Sequence, residues 1–330
     1  MSSQVAPVTL EDLQRPIAAR LERVTDDLRR IVEADFGLIA EVNAHLLQMR
    51  GKMFRPTLVL LADEATGGPT PRATALAAVI ELIHLATLVH DDSVDHSVLR
   101  RGMPTINSLF SHQVSVIMGD YLYSRSMVEL TRLGDLEPMR ILSRVTTEMT
   151  VGEMRQLLAH DEPLHYTEHD YDLLIRAKTA SLLSGACEVG ALDAPPEQRA
   201  ALQRFGDALG MAFQIVDDLL DYVGDEATTG KPTGLDLREH KVTLPLIHAL
   251  PRMSAAEQRT VTELMRTAEP SEAQIDAVVA AVAGAGGLEY ARERAATLAQ
   301  RAEAELDLLP SSTARETLRA SLTYVLDRRR

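Results

Sequence analysis

Apolar residues recur at steps of three and four along most of the chain, the spacing of amphipathic helices rather than of strands. From Thr9 to about Val32, the run Leu10, Leu13, Ile17, Leu21, Val24, Leu28 and Ile31 marks one such helix, and Phe36 to Gln48 a second. Thr57 to Glu64 continues the pattern up to the Gly67-Gly68-Pro69 turn. The helix opened by Arg72 is different. It is apolar nearly all the way round through Leu82, Ile83, Leu85, Ala86, Leu88 and Val89, which predicts burial on every side at the centre of the fold. Further helices are predicted over Ser108 to Met118, Gly119 to Leu133, Glu137 to Leu158, Glu168 to Val189 and Glu197 to Tyr222. Breaks fall at Gly102-Met103-Pro104, Gly134-Asp135, Asp161-Glu162-Pro163 and Ala194-Pro195-Pro196. From Leu244 on, helices are separated at Glu269-Pro270, Gly284 to Gly287 and Leu309-Pro310. After Tyr222 the stretch DEATTGKPTGLDLREHK is too long for a turn and is a candidate lid.

No linker-like stretch divides the 330 residues, so residues 1–330 are expected to form one domain, with 1–8 a disordered tail. Runs of β-branched and aromatic residues are scarce, and the expected fold class is all-α. An apolar share of 45% supports a sizeable core, and with aromatics at 4% and no Trp the walls of any cavity are aliphatic. The net charge of −14 excludes nucleic acid or an anionic membrane as an electrostatic partner. A single cysteine, Cys187, excludes an internal disulfide and fits a reducing cytosol. No signal peptide is visible, and charges interrupt the apolar runs before spanning length, so a cytoplasmic protein is expected.

The central helix closes on Asp91, Asp92 and Asp95, followed by Arg100 and Arg101. Asp91 and Asp95 lie one turn apart on one helical face. Carboxylates so placed suit a hard divalent cation, and magnesium takes a few carboxylates together with phosphate oxygens. One such motif is usually a solvated helix face. Here Asp217, Asp218 and Asp221 repeat it after a second apolar stretch, and two facing clusters can hold several magnesium ions around one diphosphate. Cations are concentrated nearby. Lys52 and Arg55 in GKMFRP form a local site at a helix start, where phosphate is welcome. His84 lies within the buried helix, and Lys178-Thr179 places a cation in an apolar one, although Thr179 could instead bond back and bend that helix. Gln214 shares a helical face with Asp217, Lys231 and Lys241 flank Asp236 in the lid, and Arg328 to Arg330 read as a solvated terminus.

These residues resemble the trans-isoprenyl diphosphate synthase, or polyprenyl synthetase, family. The matching segments are GKMFRP, LVHDDSVDHSVLRRG, GDYL, GEMRQ, KTA and FQIVDDLLDYVGDEATTGKPTGLDLREHKVTLP, in the family's order from Gly51 to Pro245. Two departures stand out. Arg50 replaces a glycine often found before the lysine, and His240 one often found before Lys241. The resemblance implies the isoprenoid synthase fold, an antiparallel helix bundle around a large central cavity, and a homodimer. It implies that Lys52, Arg55, His84 and Arg101 bind isopentenyl diphosphate. Asp91 and Asp95, with Asp217 and Asp221 opposite, would hold Mg2+ on an allylic diphosphate. Arg100, Lys178, Thr179, Gln214, Lys231 and Lys241 would contact that substrate. The implied reaction is ionisation of the allylic diphosphate, attack by the alkene, and loss of a proton to the departed pyrophosphate, repeated to a long all-trans polyprenyl diphosphate. The small Ala86 and Thr87, just upstream of Asp91, leave the product room to lengthen toward a floor near Tyr123 and Met127, whereas bulky aromatics there would mark a farnesyl or geranylgeranyl synthase.

Three other functions compete. A class I terpene cyclase would not need the second anion site formed by Lys52, Arg55, His84 and Arg101. Squalene-type synthases carry acidic motifs closer to DxxxD. A regulatory subunit could dispense with the metal ligands, which this chain keeps.

Overall fold

The computed structural model describes residues 7–49, 51–159, 165–223 and 234–328. The first predicted helix is divided into α1 (Leu10–Gln14) and α2 (Ala18–Val32) by a 3₁₀ turn, Arg15–Ile17. Pro16 lies in that turn; without an N–H it cannot continue the helical ladder, and the chain tightens there. Thr9 and Asp12 cap α1 reciprocally. Next come α3 (Gly37–Gln48), α4 (Phe54–Ala65) and α5 (Pro71–Val94), then a small hairpin of β1 (Leu99–Arg100) and β2 (Met103–Pro104). Helices α6 (Ile106–Leu109), α7 (His112–Arg132), α8 (Leu136–Ala159), α9 (Glu168–Ile175), α10 (Ser181–Gly190) and α11 (Pro196–Val223) follow. The chain ends in α12 (Leu235–Arg238), α13 (Leu244–Ala249), α14 (Ala255–Arg266), α15 (Glu272–Gly284), α16 (Gly287–Glu305) and α17 (Thr313–Leu326).

The core is continuous, and α5 runs through it with Leu76 to Ile83 buried. By length and composition α5 could cross a membrane, so its apolar run is longer than the sequence reading allowed; its packing shows a core helix. Helix α7 lies antiparallel to α5: Ser93 meets His112 at 3.2 Å, and Ser115 Oγ donates to the Val89 carbonyl at 2.9 Å. The division expected between Met118 and Gly119 does not occur, because that glycine serves packing within one helix. A Cβ there would lie 2.2 Å from His90 Nε2. Helix α10 is buried at every position and sits close against α11, where a Cβ on Gly206 would come within 2.6 Å of the Leu183 carbonyl. Between α9 and α10 the chain widens into a π turn, Arg176–Ala180, and π turns of this kind concentrate at functional sites. The second half of the predicted lid is the short helix α12; Lys231 and Arg50 lie outside the described residues.

Candidate active site

The C-terminal end of α5 and the C-terminal half of α11 face each other across a cleft of about 530 Å³. It is lined by Asp91 and Asp95 on one side and by Asp217, Asp218 and Asp221 on the other. Within each motif the carboxylates have diverged in role. Asp91 faces the cleft, where burial holds its carboxyl up at about 6 against the pull of Lys178. Asp92 is buried and clamps Arg100, accepting its Nε at 2.8 and 2.9 Å. Arg100 and Arg101 part because a two-residue turn separates β1 from β2, with φ of +53° at Arg101 and +76° at Gly102. Arg100 lines the cleft, whereas Arg101 turns back and donates to the Met49 carbonyl at 3.2 Å.

In the second motif Asp217 is half-exposed, while Asp218 is buried and joined to the π turn by a chain of hydrogen bonds. Thr179 Oγ1 donates to Gln214 Oε1 at 2.8 Å, Gln214 Nε2 to Asp218 at 2.7 Å, and the buried Tyr171 hydroxyl to the other Asp218 oxygen at 2.5 Å. Thr179 thus reaches across to α11 rather than back along its own helix. The two Asp221 oxygens accept the backbone N–H groups of Leu235 and Asp236, each at 3.0 Å, which ties α12 to the cleft. Asp236, to which the sequence reading gave no role, is pushed up to about 7 by burial and by Asp221.

Lys178 projects from the π turn to Glu153 and Gln156 of α8, both at 2.9 Å, and stands 3.9 Å from Asp91. Gly152 permits this approach, since a Cβ there would lie 2.8 Å from the Lys178 backbone nitrogen. Glu153 and Gln156 belong to the GEMRQ segment, whose polar pair three apart was the available signal for a partner of Lys178. Lys241 reaches the cleft with its amine on Glu239 at 2.5 Å. Arg328 is not a solvated terminus. Its guanidinium lies 3.3 Å from Asp217 and 4.2 Å above the Phe213 ring.

A second cationic cluster stands beside the cleft. Arg55 Nη1 lies 3.0 Å from His84 Nε2; a guanidinium only donates, so the imidazole accepts and carries its proton on Nδ1. Burial, reinforced by Arg55 and Arg101, keeps His84 neutral by pulling it well below its usual value. Arg55 Nε is buried without a hydrogen-bond partner, a donor for which a phosphate oxygen would be an acceptor. Glu81 faces the arginines from inside α5, and a Cβ on Gly51 would sit 2.9 Å from its Oε1 and 3.0 Å from Arg101 Nη1. Glycine is therefore what lets the chain pass there. Phe54 and Phe213 stack at 5.9 Å, next in sequence to Arg55 and Gln214, and so join the helices that carry the two clusters. Of the remaining candidates, Lys52 lies on the exposed approach to α4, Thr87 shares the helical face of Asp91, and Ala86 is buried on another face of α5.

The donors fit divalent ions held jointly by protein and substrate. Among the described residues no three potential ligands converge tightly enough to hold an ion alone. The two motifs nevertheless face one cleft, in which Asp91 and Asp236 are raised first by burial and then by neighbouring carboxylates, Glu153 and Asp95 for the one and Asp221 for the other.

Residues 37–282 match the family model for polyprenyl synthetase. Over 320 residues the chain is 37% identical to the octaprenyl diphosphate synthase of Escherichia coli (strain K12), covering 96% of this chain and 95% of that one. It matches the crystal structure of a decaprenyl diphosphate synthase from Rhodobacter capsulatus with a TM-score of 0.92 and 39% identity, over 98% of this chain and 100% of the other. A polyprenyl synthase from Caulobacter crescentus CB15, solved with calcium and isoprenyl diphosphate, gives a TM-score of 0.92 at 32% identity, over 99% and 100% of the two chains.

Proposed function

The chain belongs to the polyprenyl synthetase family, with its isoprenoid synthase fold and prenyltransferase activity, and from that premise we propose that it condenses isopentenyl diphosphate with an allylic diphosphate to a long all-trans product. The observation that supports this reading best is the pairing of an acidic cleft with a separate cationic cluster, on helices joined by Phe54 and Phe213. One diphosphate has acid motifs and cations to be ionised by; the other has a basic cluster without an aspartate motif and only needs to be held.

In this reading Arg100, Lys178 and Lys241 neutralise the allylic diphosphate as its C–O bond breaks and the electron pair leaves with the oxygen. Magnesium held by Asp91, Asp95, Asp217 and Asp221 supplies the remaining charge stabilisation when bound. Thr179 and Gln214 fix the π turn against α11 and so set the height of Lys178. Leu88, Leu174, Ile175 and Leu220 line the cleft and exclude water from the allyl cation. Lys52, Arg55, His84 and Arg101 hold isopentenyl diphosphate, whose alkene attacks that cation. The proton then lost passes to the departed pyrophosphate, so no side-chain base is needed.

Purified protein incubated with farnesyl diphosphate, isopentenyl diphosphate and magnesium is expected to release pyrophosphate and form longer prenyl diphosphates, read by mass. Cyclic hydrocarbons, or no turnover, would overturn the proposal. In the same assay Arg55→Ala raises KM for isopentenyl diphosphate by roughly tenfold or more, as loss of a charged hydrogen-bonding partner should, and Lys241→Ala acts on the allylic side. A selective allylic defect in Arg55→Ala would reverse the assignment of the two sites.

We propose further that the protein is a homodimer. Helices α7 and α8 leave Ile117, Val128, Leu136, Val151, Met154 and Leu157 exposed, apolar side chains that a second copy of the chain would cover. Sedimentation should return the mass of two chains, and a stable monomer at micromolar concentration would refute the dimer.

A further inference from the structure

Helix α12 is one turn long and needs outside support. Its end is closed by two backbone bonds, His240 N–H to the Leu237 carbonyl at 3.2 Å and Lys241 N–H to the Asp236 carbonyl at 2.8 Å. This is the Schellman arrangement, and it demands a left-handed residue at the place His240 occupies. His240 complies with a φ of +56°. Glycine takes that conformation freely, whereas a β-carbon crowds the following carbonyl. A residue other than glycine at this position is therefore physically costly, and the structure shows what accompanies it. The imidazole Nε2 lies 2.9 Å from the carbonyl oxygen of Thr267, the residue that ends α14. A carbonyl only accepts, so Nε2 carries the proton and donates.

Two more contacts seat α12 on the α14–α15 hairpin. Arg238 pairs with Glu272, and Gly234 packs so closely that a Cβ would fall 2.3 Å from Ile275 Cγ2. On its other side α12 is bonded to Asp221. The short helix thus bridges the second acidic motif and the α14–α15 hairpin, and Lys241 leaves it through the left-handed turn into the cleft.

We propose that His240 is a positioning residue: its bond to the Thr267 carbonyl fixes the turn that delivers Lys241, and makes the α14–α15 hairpin part of the allylic site. The inference rests on the prenyltransferase reading, in which Lys241 serves the allylic diphosphate. Three proteins test it: the wild type, His240→Gly and His240→Gln, with KM measured for farnesyl diphosphate and for isopentenyl diphosphate in magnesium, and melting temperature measured alongside. His240→Gly keeps the turn without strain but loses the tether. It is expected to raise the farnesyl diphosphate KM by roughly five- to tenfold, the equivalent of one net hydrogen bond, and to leave the isopentenyl diphosphate KM unchanged. A glutamine amide nitrogen extends about as far as the imidazole Nε2, so His240→Gln should return the allylic KM toward wild type. Unchanged constants in His240→Gly would overturn the proposal. So would a parallel rise in both constants with a lowered melting temperature, or a glutamine variant no better than glycine. Failure of the wild type to turn over would sink the prenyltransferase reading instead, which keeps the two failures apart.

Discussion

Asp91→Ala or Asp217→Ala is expected to lower turnover at saturating magnesium by roughly a hundred- to a thousandfold, the scale of removing one group that stabilises charge in a transition state. Each substitution takes a carboxylate from one wall of the cleft and leaves the opposite wall in place. The fold should survive, and for Asp91 the physics goes further. Burial raises its carboxyl from 3.8 to about 6, so the folded chain holds the proton more tightly than the unfolded chain does. Stability is then lost as pH rises from the unfolded value through the folded one at about 6, and levels off about one unit above it. In metal-free protein at pH 7, Asp91→Ala should therefore melt no lower than wild type, and gain up to about 3 kcal/mol. Helical circular dichroism and melting read the fold; pyrophosphate release reads the chemistry. Near-wild-type turnover at saturating magnesium in either variant would sink the two-cluster arrangement. A collapse of helicity in Asp91→Ala would contradict the view that the carboxylate is retained for function at a cost to the fold.

The two acidic motifs were legible in the sequence because local pattern specified them: an apolar helix must be buried, and carboxylates at its end must be compensated. The same logic located α5 and α11. What pattern could not supply was partners from distant segments. Helical spacing sets Asp92 apart from the Asp91–Asp95 pair but names no partner for it; that Asp92 clamps Arg100 depends on the hairpin at Arg101-Gly102. Glu153, Gln156, Tyr171 and Arg328 join the site only through packing between α8, α9, α11 and the chain's end. Errors in the helix boundaries have similar causes. The division expected before Gly119 failed because sequence cannot distinguish a glycine that bounds a helix from one inside it that admits His90. Pro16 was passed over because the apolar period continues across it, although the backbone ladder does not.

The length of the product should respond to the residues just upstream of Asp91. Bonds between α5 and α7 pair Ser93 with His112, Val89 with Ser115 and His90 with Val116, and α7 therefore runs antiparallel past α5. Extending that register at about 1.5 Å per residue places Tyr123 roughly one turn deeper than Ala86, and Met127 one turn deeper again. Tyr123 is partly exposed, with its hydroxyl 3.3 Å from Thr146 Oγ1 of α8. We propose that the growing tail leaves the Asp91 site along α5, passes the small Thr87 and Ala86, and is stopped at the level of Tyr123 or beyond. The wild type is then expected to make products between hexaprenyl and decaprenyl, a range that includes the octaprenyl and decaprenyl products named for two of its relatives. Ala86→Tyr or Thr87→Tyr would place a ring where the tail must pass, and under excess isopentenyl diphosphate each should shorten the product to farnesyl or geranylgeranyl length with turnover retained. Tyr123→Ala should lengthen it. Thr87 shares the face of Asp91, whereas Ala86 is packed into the core, so the Thr87 variant should act with the smaller loss of stability, and the two melting curves separate blockage from damage. A wild-type product already of farnesyl or geranylgeranyl length would refute the route. Long products from both tyrosine variants would show that the tail leaves by another wall of the cleft.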